Sequence, residues 1–310
     1  MVVGERNSTG LELKEAYEHA AMYLENNIDE LNTMNIFPVP DGDTGINMFL
    51  TMKSAVEAME KAPDITVAAI SSTAARGALL GARGNSGVIL SQILKGIATG
   101  LEGKNTFSLN DFATALHVAS EQAYHVVANP VEGTILTVIR EVADAASRAS
   151  ERHASFTRTI MSVASQAKKT VKRTPELLPV LKEAGVVDSG AKGLYYVFAG
   201  MRDAICQKRI HVTKSDISSP AVSGKGKEVI YGFDLQFMIK GEKLPLEEIR
   251  DKIIASGDCP LVIGDDTLIR VHVHTLTPDD VLEYARSKGT LTDIVIEDMD
   301  QQVRQRNKEK

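Results

Sequence analysis

The 310-residue chain has no tryptophan, only two cysteines and no long apolar run. Cys206 and Cys259 show neither metal-ligand nor redox spacing, so a reducing compartment is expected. A membrane-spanning helix needs roughly 18 or more apolar residues in succession, and the sequence contains no such stretch. The first residues also lack the apolar segment of a signal peptide. We therefore expect a soluble, cytoplasmic protein without a membrane span.

An excess of positive charge is missing as well. The 35 lysines and arginines are outnumbered by 41 aspartates and glutamates, which gives a formal net charge of −6. Because binding to a phosphate backbone requires a basic face, a general nucleic-acid-binding protein is not expected. The hydrophobic content of 43% is that of an ordinary globular protein, and the length suffices for two domains.

Residues 1–210 have the apolar spacing of helices almost throughout. The pattern predicts a compact all-α domain, a helical barrel of about eight helices. The predicted helices cover residues 11–30, 45–61, 65–80, 88–100, 109–127, 133–149, 155–172, 175–184 and 191–208.

The composition changes after the helical region. Residues 211–228 are rich in serine, lysine and glycine, which is typical of a linker. Residues 229–300 then alternate between apolar and polar side chains in several segments. The order of strands and helices there is βαββαβ, which predicts a ferredoxin-like domain. Residues 301–310 are charged and poor in apolar side chains, so they are predicted to be a frayed tail.

The most distinctive loop lies before the second predicted helix and reads IFPVPDGDTGINM, residues 36–48. Its prolines restrict the backbone, and Gly42 separates the carboxylates of Asp41 and Asp43. Oxygen ligands in a stiff loop suit Mg²⁺. An EF-hand is excluded, because its required glycine and glutamate would fall on Ile46 and Met52. From this loop alone, a turn that caps a helix is an equally good interpretation.

Three further stretches carry candidate ligands. Gly84, Asn85 and Ser86 precede an apolar helix, where backbone N–H groups could bind an anion, although a plain helix connection explains them at least as well. The spacing is that of neither a Walker A loop nor a Rossmann fingerprint. Arg173 could contact phosphate and Asp188 could accept ribose hydroxyls, whereas helix capping is the simpler role for the residues around Asp188. Thr134 follows Glu132 and Gly133 in a similar helix start.

Taken together, these loops resemble the DhaL-type nucleotide-binding domain of dihydroxyacetone kinases. The resemblance is closer to the ATP-binding subunit of bacterial fatty acid kinases, whose loop has the same FPVPDGDTG form. It implies a helical barrel that binds ATP at one end with two Mg²⁺ ions. It also implies a fatty-acid-binding carrier protein as a partner, and a further C-terminal domain for which this chain has no counterpart.

The resemblance assigns roles to individual residues. Asp41 and Asp43 are expected to hold Mg²⁺, with Asn35 near the place of a third aspartate in dihydroxyacetone kinases. Asp41, Asp43 and Arg173 are the expected catalytic residues. The expected nucleotide contacts are Thr44, Asn47, Gly84, Asn85, Ser86, Thr134, Asp188 and Gly190.

The second domain has a candidate site of its own. Alternation places Asp234, Gln236, Arg270, His272 and His274 on the open face of the predicted sheet, opposite the apolar face. Asp234, His272 and His274 could bind Zn²⁺, form a polar dimer interface or simply face solvent. The family that the chain resembles has cysteine at the position of Asp234, and this difference weakens a thiolate type of zinc site.

These observations predict an ATP- and Mg²⁺-dependent kinase subunit that converts a carrier-presented fatty acid to an acyl phosphate, and that forms a homodimer. Phosphoryl transfer requires mainly positioning and charge neutralisation, so the chain need not supply a nucleophile. Two other interpretations stay open from sequence. One is the nucleotide-binding subunit of a dihydroxyacetone-type kinase, and the other is a non-catalytic nucleotide-binding module that dimerises.

Overall fold

The computed structural model describes residues 7–207 and 230–308, which form an all-helical domain followed by a four-stranded sheet with flanking helices. The helices of the first domain are α1 (Gly10–Glu25), α2 (Ile28–Met34), α3 (Thr44–Met59), α4 (Val67–Gly81), α5 (Gly84–Gly100), α6 (Leu109–Val126), α7 (Ile135–Glu151), α8 (Phe156–Leu177), α9 (Pro179–Ala184) and α10 (Ser189–Ile205). Two short strands, β1 (Ser8–Thr9) and β2 (Thr106–Phe107), pair beside them.

The long helices close into a barrel, as the sequence predicted. Neighbours around the ring are α4, α5, α6, α7, α8, α10 and α1, and α1 returns to α4. Small residues allow α5 and α6 to pack closely. A Cβ atom on Gly96 would lie 2.3 Å from the Cα of Ala119, and one on Gly100 would lie 2.5 Å from the Cα of Ala115. The barrel interior is filled by buried aliphatic, methionine and phenylalanine side chains.

The predicted single helix over residues 11–30 is wrong, because α1 ends at Glu25 and α2 starts at Ile28. The side-chain amides of Asn26 and Asn27 donate to the carbonyls of Met22 and Tyr23, at 2.8 and 2.7 Å. Such local hydrogen bonds compete with continuation of the helix. The described part of the first domain therefore has ten helices rather than the predicted eight or nine.

The predicted helix break at Pro175 is also wrong, because α8 runs on to Leu177. Proline has no N–H group, so it leaves the carbonyl of Val171 without its usual helical donor. The hydroxyl of Thr174 donates to that carbonyl at 2.8 Å and replaces the missing bond. At residues 81–87 the predicted break is shorter than expected, since only Ala82 and Arg83 separate α4 from α5.

The second domain has the predicted ferredoxin-like order. Its strands and helices are β3 (Phe233–Lys240), α11 (Leu246–Ile254), β4 (Asp258–Gly264), β5 (Leu268–Thr275), α12 (Pro278–Arg286) and β6 (Thr290–Asp298). The sheet order is β4-β5-β3-β6, with antiparallel neighbours throughout. Leu235, Phe237 and Ile239 join the apolar core under the two helices, as alternation predicted.

The opposite face of this sheet is not open, contrary to the prediction. Asp234, Gln236, Arg270, His272 and His274 are each at most 7% exposed, because the helical domain covers them. Gln236 Oε1 accepts a hydrogen bond from the Gly84 N–H at 3.1 Å, and Arg270 Nη1 donates to the Leu80 carbonyl at 3.2 Å. Apolar contacts complete the interface, with Ala82, Val88 and Val126 against Leu261 and Ile263.

The predicted frayed tail is a helix, α13 (Met299–Lys308). Asp298 accepts from the Gln301 N–H at 2.8 Å, and Asp300 accepts from the N–H groups of Tyr231 and Gly232. Sequence composition missed this helix because hydrogen bonds contribute much of its attachment. The predicted linker, residues 211–228, lies outside the described residues. None of the described helices is long and apolar enough to cross a membrane.

Candidate functional site

A cavity of about 390 Å³ lies where the helical domain meets the sheet. The carboxylate loop and the start of α5 line it from one side, and β3, β4 and β5 contribute residues from the other. Of the predicted site residues, those that line it are Asn35, Asp41, Asp43, Thr44, Gly84, Asn85, Ser86, Thr134, Asp188, Gly190, Asp234 and His274. The predicted loops are therefore brought together around one space.

Asn35 holds the carboxylate loop in place. Its Oδ1 accepts from the N–H groups of Asp43 and Thr44, both at 3.1 Å, and from the Thr44 hydroxyl at 2.8 Å. Its Nδ2 donates to the Val39 carbonyl at 2.8 Å. An amide oxygen has two lone pairs, so three donors leave it no capacity for a metal. These contacts argue against the predicted metal-ligand role of Asn35 and assign it the positioning of the loop.

Asp41 and Asp43 form the acidic end of the cavity. Asp43 Oδ2 accepts from Asn47 Nδ2 at 2.6 Å, whereas the buried Oδ1 of Asp41 has no hydrogen-bond partner among the residues that the structure describes. Burial raises the pKa of Asp41 well above its ordinary value, and the charges of Asp43 and Asp234 raise it further. A buried carboxylate oxygen without a donor, beside other carboxylates, fits a site for a divalent cation.

The start of α5 requires glycine at two positions. Gly84 has a φ of +57°, and a Cβ atom there would lie 2.4 Å from Asn47 Nδ2. A Cβ atom on Gly87 would lie 2.4 Å from Thr51 Oγ1. These glycines let the N-terminus of α5 approach α3 beside the carboxylates, where its dipole favours an anion. The Gly84 N–H is engaged by Gln236, so Asn85 and Ser86 are the remaining predicted phosphate contacts.

Asp188 and Thr134 are helix caps that also line the cavity. Asp188 caps α10 by accepting from the Ala191 N–H at 2.7 Å, and its own N–H donates to Thr174 Oγ1 at 3.0 Å. Burial raises the pKa of Asp188 to about 7, although hydrogen bonds from the Ala191 and Ile135 backbones oppose the rise. Thr134 caps α7 through the Leu136 N–H. Capping and cavity lining therefore occur in the same residues.

Arg173 is not at the cavity, which contradicts its predicted phosphate contact. Its Nη1 lies 3.3 Å from both carboxylate oxygens of Glu141 on α7, and its side chain is 47% exposed. Because α8 continues through this position, the arginine points along the barrel surface while the next residue, Thr174, supports Asp188 from inside.

The second predicted cluster is assembled by strand register. Asp234 pairs across the sheet with His274 on β5 and with Glu297 on β6, and Gln236 pairs with His272. His272 Nδ1 lies 3.1 Å from Asp234 Oδ1, but the two atoms are not aligned as a hydrogen bond. Burial, reinforced by His272, lowers the pKa of His274 to about 4. Asp234, His272 and His274 offer ligand atoms within 4.8 Å of one another, so they could hold a metal ion.

The two predicted sites are parts of one region. Asp43 from the helical domain, together with Asp234 and Glu297 from the sheet, offers oxygens within 4.8 Å of one another. Sequence reasoning missed Glu297, although extending the alternation along β6 would have placed it on the polar face. It also missed Cys259, which lines the cavity and whose pKa is raised by burial to about 11.

Arg306 of α13 is the third residue that sequence reasoning missed. Its Nη1 donates to the carbonyls of Asn35 and Pro40, at 2.6 and 2.9 Å. Its Nη2 donates to the carbonyls of Asn32 and Thr33, at 2.9 and 2.7 Å. The last helix of the second domain therefore holds the backbone of the loop that carries Asp41. No local sequence signal identifies this contact, because more than 260 residues separate the partners.

A helical barrel with a carboxylate loop and a glycine-started helix around one cavity, closed by a ferredoxin-like domain, has the features of a kinase-type nucleotide-binding protein. Residues 38–203 match the DAK2 domain, and residues 230–306 match the FakA-like middle domain of fatty acid kinase. The chain belongs to the DAK2 domain family.

Similar proteins occur in several bacteria. Protein YloV of Bacillus subtilis is 39% identical over 297 residues, and an uncharacterised protein of Staphylococcus saprophyticus is 37% identical over 298. These matches cover 91% and 92% of this chain but only 54% of each relative, so the chain spans about half the length of the curated relatives it matches. Among solved structures, the dihydroxyacetone kinase from C. freundii in complex with AMP-PNP and Mg²⁺ has a TM-score of 0.49 and 17% identity, covering 66% of this chain and 35% of that one.

Proposed function

We propose that this chain is the ATP- and Mg²⁺-binding subunit of a phosphotransferase that phosphorylates the carboxylate of a fatty acid. The observation that carries the proposal is the buried, partnerless Oδ1 of Asp41, beside Asp43 at the same cavity as the N-terminus of α5. Carboxylates that approach this closely repel one another unless a proton or a cation is shared between them. A nucleotide with Mg²⁺ supplies the cation and places its phosphates by the helix terminus.

The cavity offers suitable surroundings for each part of ATP. Val127, Ile135 and Leu136 form an apolar lining for a base. The carboxylate of Asp188 can accept a hydroxyl hydrogen bond from a ribose, and the backbone at Asn85 faces the phosphate end. Bound Mg²⁺, which we expect as two ions, would neutralise the charge of the phosphates and of Asp41 and Asp43.

The chain's part in the reaction is to bind, orient and exclude water. The acceptor carboxylate oxygen forms the new bond to the γ-phosphorus as ADP leaves, so no nucleophile from this chain is needed. The buried polar face of the sheet limits water at the acidic end of the cavity. Fatty acid as the substrate is supported by the match of residues 230–306 to a fatty acid kinase-like middle domain. The fatty-acid-binding carrier and the homodimer stay predictions from the sequence resemblance.

Isothermal titration with ATP, in the presence and absence of Mg²⁺, tests nucleotide binding. We expect Mg²⁺ to strengthen ATP binding to the unaltered chain and to have little effect on a variant with Asp41→Asn and Asp43→Asn. Asp29→Asn is a matched control, because Asp29 is exposed on α2 and does not line the cavity. Equal Mg²⁺ dependence in the double variant and the control would refute the assigned site.

The acceptor is tested separately with hydroxylamine, which traps acyl phosphates as hydroxamates. The chain is incubated with ATP, Mg²⁺, fatty acid and a fatty-acid-binding protein, and compared with a full-length relative of the YloV type. Hydroxamate that depends on the fatty acid supports the proposal. Phosphorylation of dihydroxyacetone instead would favour the other kinase class, and nucleotide binding without any transfer by either chain would favour a binding module.

A further inference from the structure

Three carboxylates from two domains meet beside the cavity. Asp43 stands at the N-terminus of α3, Asp234 in β3 and Glu297 near the end of β6. One oxygen from each lies within 4.8 Å of the other two. The register of β3 with β6 sets Asp234 opposite Glu297 on the face that the helical domain covers, so the arrangement depends on the packing of both domains.

These carboxylates lack a protein cation. In the described ranges, the one ion pair recorded for any of the three is that between Asp234 and His272. Lysine and arginine side chains elsewhere in those ranges do pair with acidic groups, for example Lys192 with Glu30. Three carboxylates within a few ångströms, one of them buried, are costly unless a positive charge joins them.

A second observation, independent of the carboxylates, points to a missing ligand. His272 is 1% exposed, and within the described structure neither of its ring nitrogens has a hydrogen-bond partner. Its Nδ1 lies 3.1 Å from Asp234 Oδ1, which is also unpartnered, in a residue that is 3% exposed. Buried polar atoms almost always have partners, so two that face each other without a bond mark a place where something binds.

The helical domain alone offers few ligands at this place. Asn35 is saturated by three donors, which leaves Asp41 and Asp43 as the acidic ligands of the carboxylate loop. We propose that Asp234 and Glu297 of the second domain, together with Asp43, complete a site for a hard divalent cation that joins the two domains. Carboxylate oxygens select Mg²⁺ or Mn²⁺ over softer metals. That the ion serves the nucleotide rests on the function proposed above, whereas its binding by these residues does not.

A cation at this place has a structural consequence. Its ligands come from α3, β3 and β6, so it binds well only when the sheet is seated on the helical domain. Cation binding therefore stabilises the domain interface, and the second domain becomes part of the metal site rather than a separate module.

The test measures Mn²⁺ binding to the nucleotide-free full chain by electron paramagnetic resonance. We expect Glu297→Gln and Asp234→Asn each to weaken Mn²⁺ binding by about tenfold or more, because each removes a charged oxygen ligand. Glu242→Gln is the matched control, since Glu242 is exposed in the same domain. Circular dichroism in EDTA checks folding. Should the buried Asp234→Asn variant fail to fold, the more accessible Glu297→Gln decides.

The outcomes separate this inference from the proposed function. Mn²⁺ affinity in Glu297→Gln equal to that of Glu242→Gln would overturn the interdomain site, while ATP binding that still requires Asp41 and Asp43 would leave the proposed function standing. Conversely, weakened Mn²⁺ binding in Glu297→Gln, without Mg²⁺-dependent ATP binding by the unaltered chain, would support the cation site and refute the proposed function.

Discussion

Replacing Arg306 by alanine should loosen the carboxylate loop. The substitution removes four hydrogen bonds, with donor–acceptor distances of 2.6–2.9 Å, from a cationic side chain to backbone carbonyls. A hydrogen bond to a charged group contributes about 1.5–3 kcal/mol when buried. Arg306 is only half-buried, and ordering its side chain costs about 2 kcal/mol. We therefore expect a net loss of about 2–4 kcal/mol in the free energy that keeps the loop closed.

Hydrogen exchange measures this loss directly. The N–H groups of Asp43 and Thr44 donate to Asn35 Oδ1, and the carbonyl of Asn35 accepts from Arg306. Loosening by about 2–4 kcal/mol corresponds to roughly 30- to 1000-fold faster exchange of these two amides. Arg306→Lys should recover part of the protection, because one ammonium group cannot span four carbonyls.

The control is Arg304→Ala, on an exposed position of the same helix. If exchange at Asp43 and Thr44 is as slow in Arg306→Ala as in Arg304→Ala, the loop is held without α13 and the reasoning is refuted. Weaker Mg²⁺-dependent ATP binding should accompany the faster exchange, with little change in the thermal transition of the barrel.

Three further predictions concern the frame of the site. Gly84→Ala should lower the free energy of unfolding by about 1–2 kcal/mol or more, because φ is +57° and the new Cβ would lie 2.4 Å from Asn47 Nδ2. In urea unfolding, Gly103→Ala, with φ of +72° and nothing within 4 Å, should cost less; equal losses would exclude crowding as the cause. Thr174→Val should cost about 1–3 kcal/mol in the same assay, since it leaves the Val171 carbonyl and the Asp188 N–H without partners; a neutral effect would contradict that role. Burial raises the pKa of Asp188 to about 7, so the folded chain holds a proton that the unfolded chain has lost, and this contribution to stability falls as the pH rises from about 4 to about 7. Urea midpoints at about pH 5 and pH 8 should therefore differ less in Asp188→Asn than in the unaltered chain, and an unchanged difference would count against it.

Local pattern predicted much of the architecture, because side-chain periodicity follows directly from backbone geometry. The nine predicted helices lie within a few residues of observed ones, and the βαββαβ order is confirmed. The errors fall where side-chain hydrogen bonds decide a helix end. Asn26 and Asn27 end a helix that periodicity would continue, and Thr174 continues one that Pro175 would end.

The candidate site was predictable in its parts and not in its assembly. The carboxylates Asp41 and Asp43 and the glycine at residue 84 are recognisable by residue type and spacing. The position of Arg173 depends on which way α8 faces, and that orientation follows from packing against α7 rather than from the local sequence.

By itself, the sequence determined the two domain types, the loops that face the cavity and the polar face of the sheet that carries Asp234 and His274. Each of these follows from local backbone geometry and residue chemistry. Only the tertiary structure decided that this polar face is buried, that Glu297 joins Asp43, and that Arg306 holds the loop. Those contacts join residues far apart in the chain, and their energy depends on how two domains pack, which no local pattern encodes.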